Sequence, residues 1–216
     1  MMHFLRLSSL SFLLLIASCA APYKSLQQDS AVKTSALRFK PQFSKVLYRC
    51  VVDGRVVLKK FHLSGLLFFK VMDDRSTRVV FQNEMGLTFF DFEWSPDDSF
   101  KVNQIIPQLN KDALVRTLQK DMNLLLMKNL DKSSEVVLHG NNNELFHRFD
   151  LEKGHAYYIT SNGQLERIEN AGKSKVITVT LTGKATDKAM PEAALFDHHK
   201  ANFTIQLNKI EANADE

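Results

Sequence analysis

From Lys45 onward the chain reads as short runs in which apolar and polar residues alternate, cut at intervals by Gly, Asp or Pro. Alternation at period two marks strands with one buried face. Val51-Val-Asp-Gly-Arg-Val-Val57 predicts a tight hairpin, because Asp-Gly supplies the positive φ angles of a two-residue turn between β-branched runs. The run 61–71 puts Phe61, Leu63, Leu67, Phe69 and Val71 on one face. Asp73–Ser76 turns the chain into a strand over 77–82, and Glu84-Met-Gly86 turns it again into 87–94. There Phe90, Phe92 and Trp94 share a face opposite Asp91 and Glu93. A turn at Ser95-Pro-Asp-Asp98 leads into a strand over 100–106. Consecutive short strands of this kind predict an antiparallel meander.

The period then changes. Leu114, Leu118, Met122 and Leu125 recur at helical spacing, with Lys111, Lys120 and Asp121 assigned to solvent, Asn110 as N-cap and Pro107 barring an earlier start. Strands resume over 135–139, 145–151, 155–160, 164–168, 175–182 and 202–210. Ile177, Val179 and Leu181 face one way and three Thr the other, while Phe203, Ile205 and Leu207 alternate with polar residues. One apolar and one wet face predict a mainly β fold with one or two helices: a curved antiparallel sheet, or incomplete β-barrel, packed on a helix.

Composition narrows the class. Net charge is +4, from 28 basic and 24 acidic residues scattered together, too weak and too mixed to point to nucleic acid. With 44% hydrophobic residues, 8 Gly, 5 Pro and 2 Cys, the chain is neither collagen-like nor disordered nor a disulfide scaffold. Phe is abundant, at 16 copies against one Trp and four Tyr; only Phe4 and Phe12 precede residue 19.

Residues 1–18 carry one positive charge, Arg6, ahead of a short apolar run and small residues, the layout of a secretory signal and too short to span a bilayer comfortably. The run ends in Ile16-Ala17-Ser18-Cys19, which resembles the bacterial lipobox. The resemblance implies a diacylglyceryl group on the Cys19 thiol, cleavage before it, and acylation of the new amine by a palmitate-class chain. Two or more acyl chains anchor a protein stably where one does not. Ala20 and Ala21 follow, with no Asp to retain a lipoprotein in the inner membrane, which implies the outer membrane, facing the periplasm. Cys50 then has no partner and, in its apolar run, reads as a small buried side chain. Residues 19–45 read as a lipidated N-terminus and tether, 46–211 as the β domain, and 212–216 as a disordered tail.

Common catalytic motifs are missing: no Gly-x-Ser-x-Gly, phosphate-binding Gly loop, His-Glu-x-x-His or Cys-x-x-Cys is present. The chain therefore reads as a non-enzyme without a cofactor. His198-His199 after Asp197 is the best metal candidate, but neighbours on a strand point oppositely, so no metal site is assigned. The positive signal is apolar. Phe61, Leu63, Phe69, Phe81, Phe90, Phe92 and Trp94 come from successive strands and could face one side. One helix covers limited area, at roughly 5.4 Å per turn, so a broad meander leaves room for an apolar concavity that takes acyl chains.

With the lipobox, the Gly-containing early strand Leu63-Ser-Gly65-Leu-Leu-Phe, the meander–helix–hairpins order, and Pro191…His199…Phe203-Thr-Ile-Gln-Leu207 near the end, the chain resembles the LolA/LolB superfamily of lipoprotein carriers and receptors. The resemblance spans about residues 46–210 as pattern and implies an incomplete barrel closed by helices around an acyl-chain cavity. Two features depart from it: no clear helix precedes the first strands, and the loop 73–76 is charged, without a Leu at its tip. The reading is a membrane-anchored lipoprotein that binds an apolar ligand, lipid or lipoprotein acyl chains, in outer-membrane lipoprotein or lipid trafficking. The alternative is a non-enzymatic envelope assembly lipoprotein with a filled core and a protein partner.

Overall fold

The computed structural model describes residues 21–56, 59–184 and 186–211. The signal, the lipobox with Cys19, and the tail 212–216 lie outside the described residues. Thirteen strands are found: β1 (Gln27–Gln28), β2 (Lys45–Val56), β3 (Lys59–Val71), β4 (Thr77–Gln82), β5 (Thr88–Trp94), β6 (Phe100–Ile105), β7 (Glu135–His139), β8 (Glu144–Asp150), β9 (His155–Ser161), β10 (Gln164–Ala171), β11 (Lys175–Thr182), β12 (Ala193–His198) and β13 (Phe203–Lys209). They join in the order β1-β7-β8-β9-β10-β11-β12-β13-β2-β3-β4-β5-β6, every pair antiparallel. Among the described residues β1 and β6 are the two ends, so the sheet is not closed into a barrel.

One α-helix, α1 (Asp112–Leu126), packs on the sheet and dictates its shape. The Trp94 indole N–H on β5 donates to Asn123 Oδ1 at 2.7 Å, and the Tyr158 hydroxyl on β9 donates to the Leu124 carbonyl at 2.9 Å. In the sheet order β9 and β5 are eight neighbour steps apart. Laid flat at roughly 4.8 Å per step they would stand about 38 Å apart. Both nevertheless reach consecutive residues of a helix roughly 10–12 Å across. The sheet must curl around α1, which is the curved sheet over a helix that the alternation predicts.

Most strand boundaries match the alternation to within a residue or two, and several details differ. The Asp53-Gly54 turn does not exist, because β2 runs straight through it and pairs Gly54 with Phe61 and, on the other side, with Phe203. Gly54 serves close approach, not a positive φ: an added Cβ would lie 2.3 Å from the Phe61 ring and 2.6 Å from Phe203 Cβ. β12 is a strand that periodicity missed. Its Ala-Ala-Leu-Phe run has little β preference, and pairing on both sides by β11 and β13 overrides it. Lys111, not Asn110, is the N-cap, without a side-chain cap bond. Asp121 is buried, not turned to solvent.

The N-terminal segment is docked where a tether is expected. Tyr23 packs between Phe146 and Tyr157, with ring centres 4.8 Å from each, and its hydroxyl donates to Glu169. These rings, with Leu138, Ile159 and Ala171, form a small cluster on the outer face, away from α1. Gln27 and Gln28 pair with β7 at the sheet edge. The chain then rounds that edge, and Ala36 and Phe39, in a 3-10 turn, join the main core on the helix side. Glu135 holds this turn: it accepts from the Ser35 hydroxyl, from the Ala36 N–H at 2.8 Å and from His147 Nδ1 at 2.6 Å.

Burial alone would raise the Glu135 carboxyl, but those hydrogen bonds and the nearby His147 outweigh it and hold it below the usual range. A depressed carboxyl adds stability above its unfolded pKa, roughly 4.3, and loses it as pH falls through the lower folded value. Below about pH 4, therefore, amide protection over residues 35–39, corrected for intrinsic exchange, is expected to fall before that of β9 and β10. Glu135→Gln should abolish that pH dependence and show weakened protection already at pH 7.

A hydrophobic cavity under the helix

Leu114, Leu118 and Met122 form one stripe of α1 over the end of the sheet where β3 begins, and beneath them the core is hollow. A cavity of about 340 Å³ lies there. Its floor is Cys50 and Val52 of β2, Phe61, Leu63 and Leu67 of β3, Phe81 of β4, Phe90 of β5, and Phe203 and Ile205 of β13; Gln108 and Leu109 close the side before the helix. Gln108 is the lining residue with a polar side chain tip apart from the Cys50 thiol, so the space is almost wholly apolar.

Four of the seven residues expected to line an apolar site meet at this cavity: Phe61, Leu63, Phe81 and Phe90. Phe69, Phe92 and Trp94 lie in the filled part of the core. Phe69 packs edge-on against Tyr48 at 5.7 Å, Phe92 stacks on Phe90 at 4.3 Å, and Trp94 meets Phe100 at 5.1 Å. The face predicted from alternation is thus part hollow and part solid. Sequence reasoning missed the lining from β2 and β13 and from the stretch before α1. Phe203 and Ile205 carried a signal, being on the apolar side of an alternating strand; Gln108 and Leu109 carried none.

Gly65 shapes the floor. It lies between Leu63 and Leu67 on the cavity side of β3, where the chain leaving β4 crosses so closely that an added Cβ would sit 2.1 Å from the Gln82 carbonyl oxygen. Cys50, opposite Gly65 in the ladder, is buried, and desolvation pushes its thiol up to about 12. It stays protonated and presents a soft apolar surface to the cavity.

One polar pair is buried beside this apolar space. His198 Nε2 lies 2.9 Å from Asp121 Oδ2, and its Nδ1 lies 3.1 Å from the Phe203 carbonyl oxygen, while its ring stacks on Phe203 at 3.9 Å. A carbonyl oxygen only accepts, so Nδ1 carries a hydrogen. Nε2 and Oδ2 then share one further proton, either as an ion pair or as a neutral acid and imidazole, and the pair carries no net charge in either form. Burial raises the Asp121 carboxyl, opposed by His198 and Lys120. The neighbouring His199 points the other way, to Thr178 Oγ1 at 2.8 Å, so the two histidines do not converge. No group of three or more His, Cys, Asp or Glu among the described residues is arranged to hold a metal ion. No helix among them is long and apolar enough to cross a membrane.

No protein-family profile matches the sequence, and no curated protein matches it. Among solved structures, the chain is similar to a domain named for outer membrane lipoprotein sorting, from Vibrio parahaemolyticus. Identity is 7% and the TM-score 0.43, over 82% of this chain and 87% of that one. It is also similar to a DUF1329 family protein from Desulfovibrio piger ATCC 29098, at 8% identity and a TM-score of 0.45, over 82% of this chain and 88% of that one.

The Asp121–His198 pair fastens α1 to β12 beside the cavity, and its partners differ in what they tolerate. Asp121→Ala leaves a buried imidazole nitrogen unpaired and is expected to cost roughly 3–5 kcal/mol in urea unfolding. Asp121→Asn can donate from its amide to Nε2 and should cost less than about half of that. Equal losses for the two variants would contradict the shared-proton geometry.

Proposed function

We propose that this protein is an envelope lipoprotein, anchored through a lipid on Cys19 and facing the periplasm from the outer membrane, that holds an apolar chain in the cavity under α1. The observation that carries the reading is the cavity itself: an apolar space between one helix and a curved sheet. The lipobox supports the anchor, and the sequence resemblance to lipoprotein carriers supports a lipid or a lipoprotein acyl chain as the ligand. Among the described residues that line the cavity there is no Asp, Glu, Lys, Arg or His, and the Cys50 thiol is held protonated, which favours binding over catalysis.

Its size sets a capacity. A methylene takes about as much room as a water molecule in the liquid, roughly 30 Å³. The 340 Å³ available then receives one chain of about eleven carbons. The three chains of a fully acylated lipoprotein would need the cavity to widen several-fold.

The partner-binding alternative has one feature on its side. In the turn between β4 and β5, Met85 is 93% exposed and Leu87 53% exposed. A photo-crosslinker at Met85 that captures one defined envelope protein, in a chain that takes up no lipid, would favour that reading.

For the cavity, the test is a series of fatty acids competing for a fluorescent acyl probe bound to the mature chain. Each buried methylene contributes about 0.8 kcal/mol, so affinity should rise about fourfold per carbon and level off near eleven. Leu114→Trp, which fills the space from the half-buried side of α1, should weaken binding at least tenfold without lowering the melting temperature. Flat affinity across chain length, or wild-type affinity in the tryptophan variant, would sink the proposal.

A further inference from the structure

We infer that the outer face of the sheet over β8–β10, around the docked Tyr23, is the face this protein turns to a lipid surface. The inference rests on the lipid anchor proposed at Cys19, and it comes from the length of chain between that residue and the first fixed contact. Three residues lie between Cys19 and Tyr23, and the four steps from one to the other, fully extended, span at most about 14 Å. A free segment from 19 to 44 would instead have a root-mean-square reach of roughly 28 Å and could present any side of the domain. Pro22 fixes its own φ and restricts Ala21 to extended backbone, which removes slack from the short link.

Tyr23 is held by more than one kind of contact. Its ring lies between Phe146 and Tyr157, its hydroxyl donates to the buried Glu169, and the Lys175 ammonium sits 5.3 Å from its ring centre. Beyond it, the pairing of Gln27–Gln28 with β7 and the Glu135 clasp keep the segment from peeling away. A bilayer holding the acyl chains of Cys19 is thus kept within a short distance of this cluster, which lies on the outer face of the sheet.

The charges suit phosphate headgroups. Lys24 and Lys173 are exposed on this side. The two carboxylates nearest Tyr23 are engaged, Glu144 by Arg167 and Glu169 by Arg167, Lys175 and Tyr23, while Asp150 at the end of β8 lies near Arg148 and His155. Free cations with occupied carboxylates leave a surface that attracts anionic lipid.

The test uses the full lipoprotein in vesicles of phosphatidylethanolamine and phosphatidylglycerol with a nitroxide-labelled headgroup. A fluorophore is placed either at Thr180→Cys, exposed on the outer face opposite Arg167 in the ladder, or at Val102→Cys on β6. The expected result is several-fold stronger quenching at position 180 than at 102. In Tyr23→Ala/Leu26→Asp/Glu135→Ala, which removes the ring contact, the packing of Leu26 on the same cluster and the clasp, and so frees the segment, the contrast should collapse. Equal quenching at the two positions in the lipidated wild-type chain, or a contrast that survives release of the segment, overturns the inference alone. A chain that does not float with the vesicles and whose Cys19 peptide lacks the diacylglyceryl mass overturns the anchor reading together with it.

Discussion

Everything in this structure depends on how one helix is fastened across a sheet far wider than itself. Apolar burial supplies most of the stabilisation, but it is non-directional and would let α1 slide or rotate. Three polar ties fix its position: Asn123 to Trp94, Leu124 to Tyr158, and Asp121 to His198. They reach β5, β9 and β12, strands spread over most of the sheet, so holding the helix and bending the sheet are one event. All three ties lie in the C-terminal half of α1, from Asp121 onward, where only Met122 still borders the cavity. The N-terminal half, carrying Leu114 and Leu118, stands over the hollow end.

That division explains why the aromatic residues fall into two groups. Along β5, Trp94 and Phe92 sit level with the ties and are packed by Phe100, while Phe90, nearer the start of the strand, faces open space. Along β3 the same gradient runs from Phe69 to Phe61. A cavity at one end of a clamped helix can change volume by small movements of the untied turn without disturbing the anchored half.

The sheet was largely legible because alternation at period two reports directly on a face, and β4 and β11 follow it to the residue. Legibility failed where tertiary contact overrode local chemistry. Asp53-Gly54 has the composition of a turn, yet Gly54 is required flat so that Phe61 and Phe203 can close over it. Asp121 occupies a polar position in the helical pattern and is buried because His198 reaches it from β12, a strand whose sequence shows no strand signal. The docked N-terminal segment was invisible for a similar reason. Its contacts are single residues, Tyr23, Ser35 and Phe39, each matched to a site distant in sequence and without periodicity between them. Alternation placed the seven candidate site residues on one side; it carried no information on how far α1 would extend over them.

An open sheet of thirteen strands has two raw edges, and each is a template on which another chain could polymerise. Here the two are treated differently. At one end the N-terminal segment wraps β7 and reduces the free edge to the two residues of β1. At the other, β6 is interrupted by a bulge against Asp91–Phe92, and its outward positions carry Lys101, Asn103 and Gln104. A second copy adding a strand there would have to match an irregular ladder and bring its own Lys101 close to the first, like charge against like. The long ribbon that curls round one helix thus offers another chain a poor template at either end, without the sheet ever becoming a barrel.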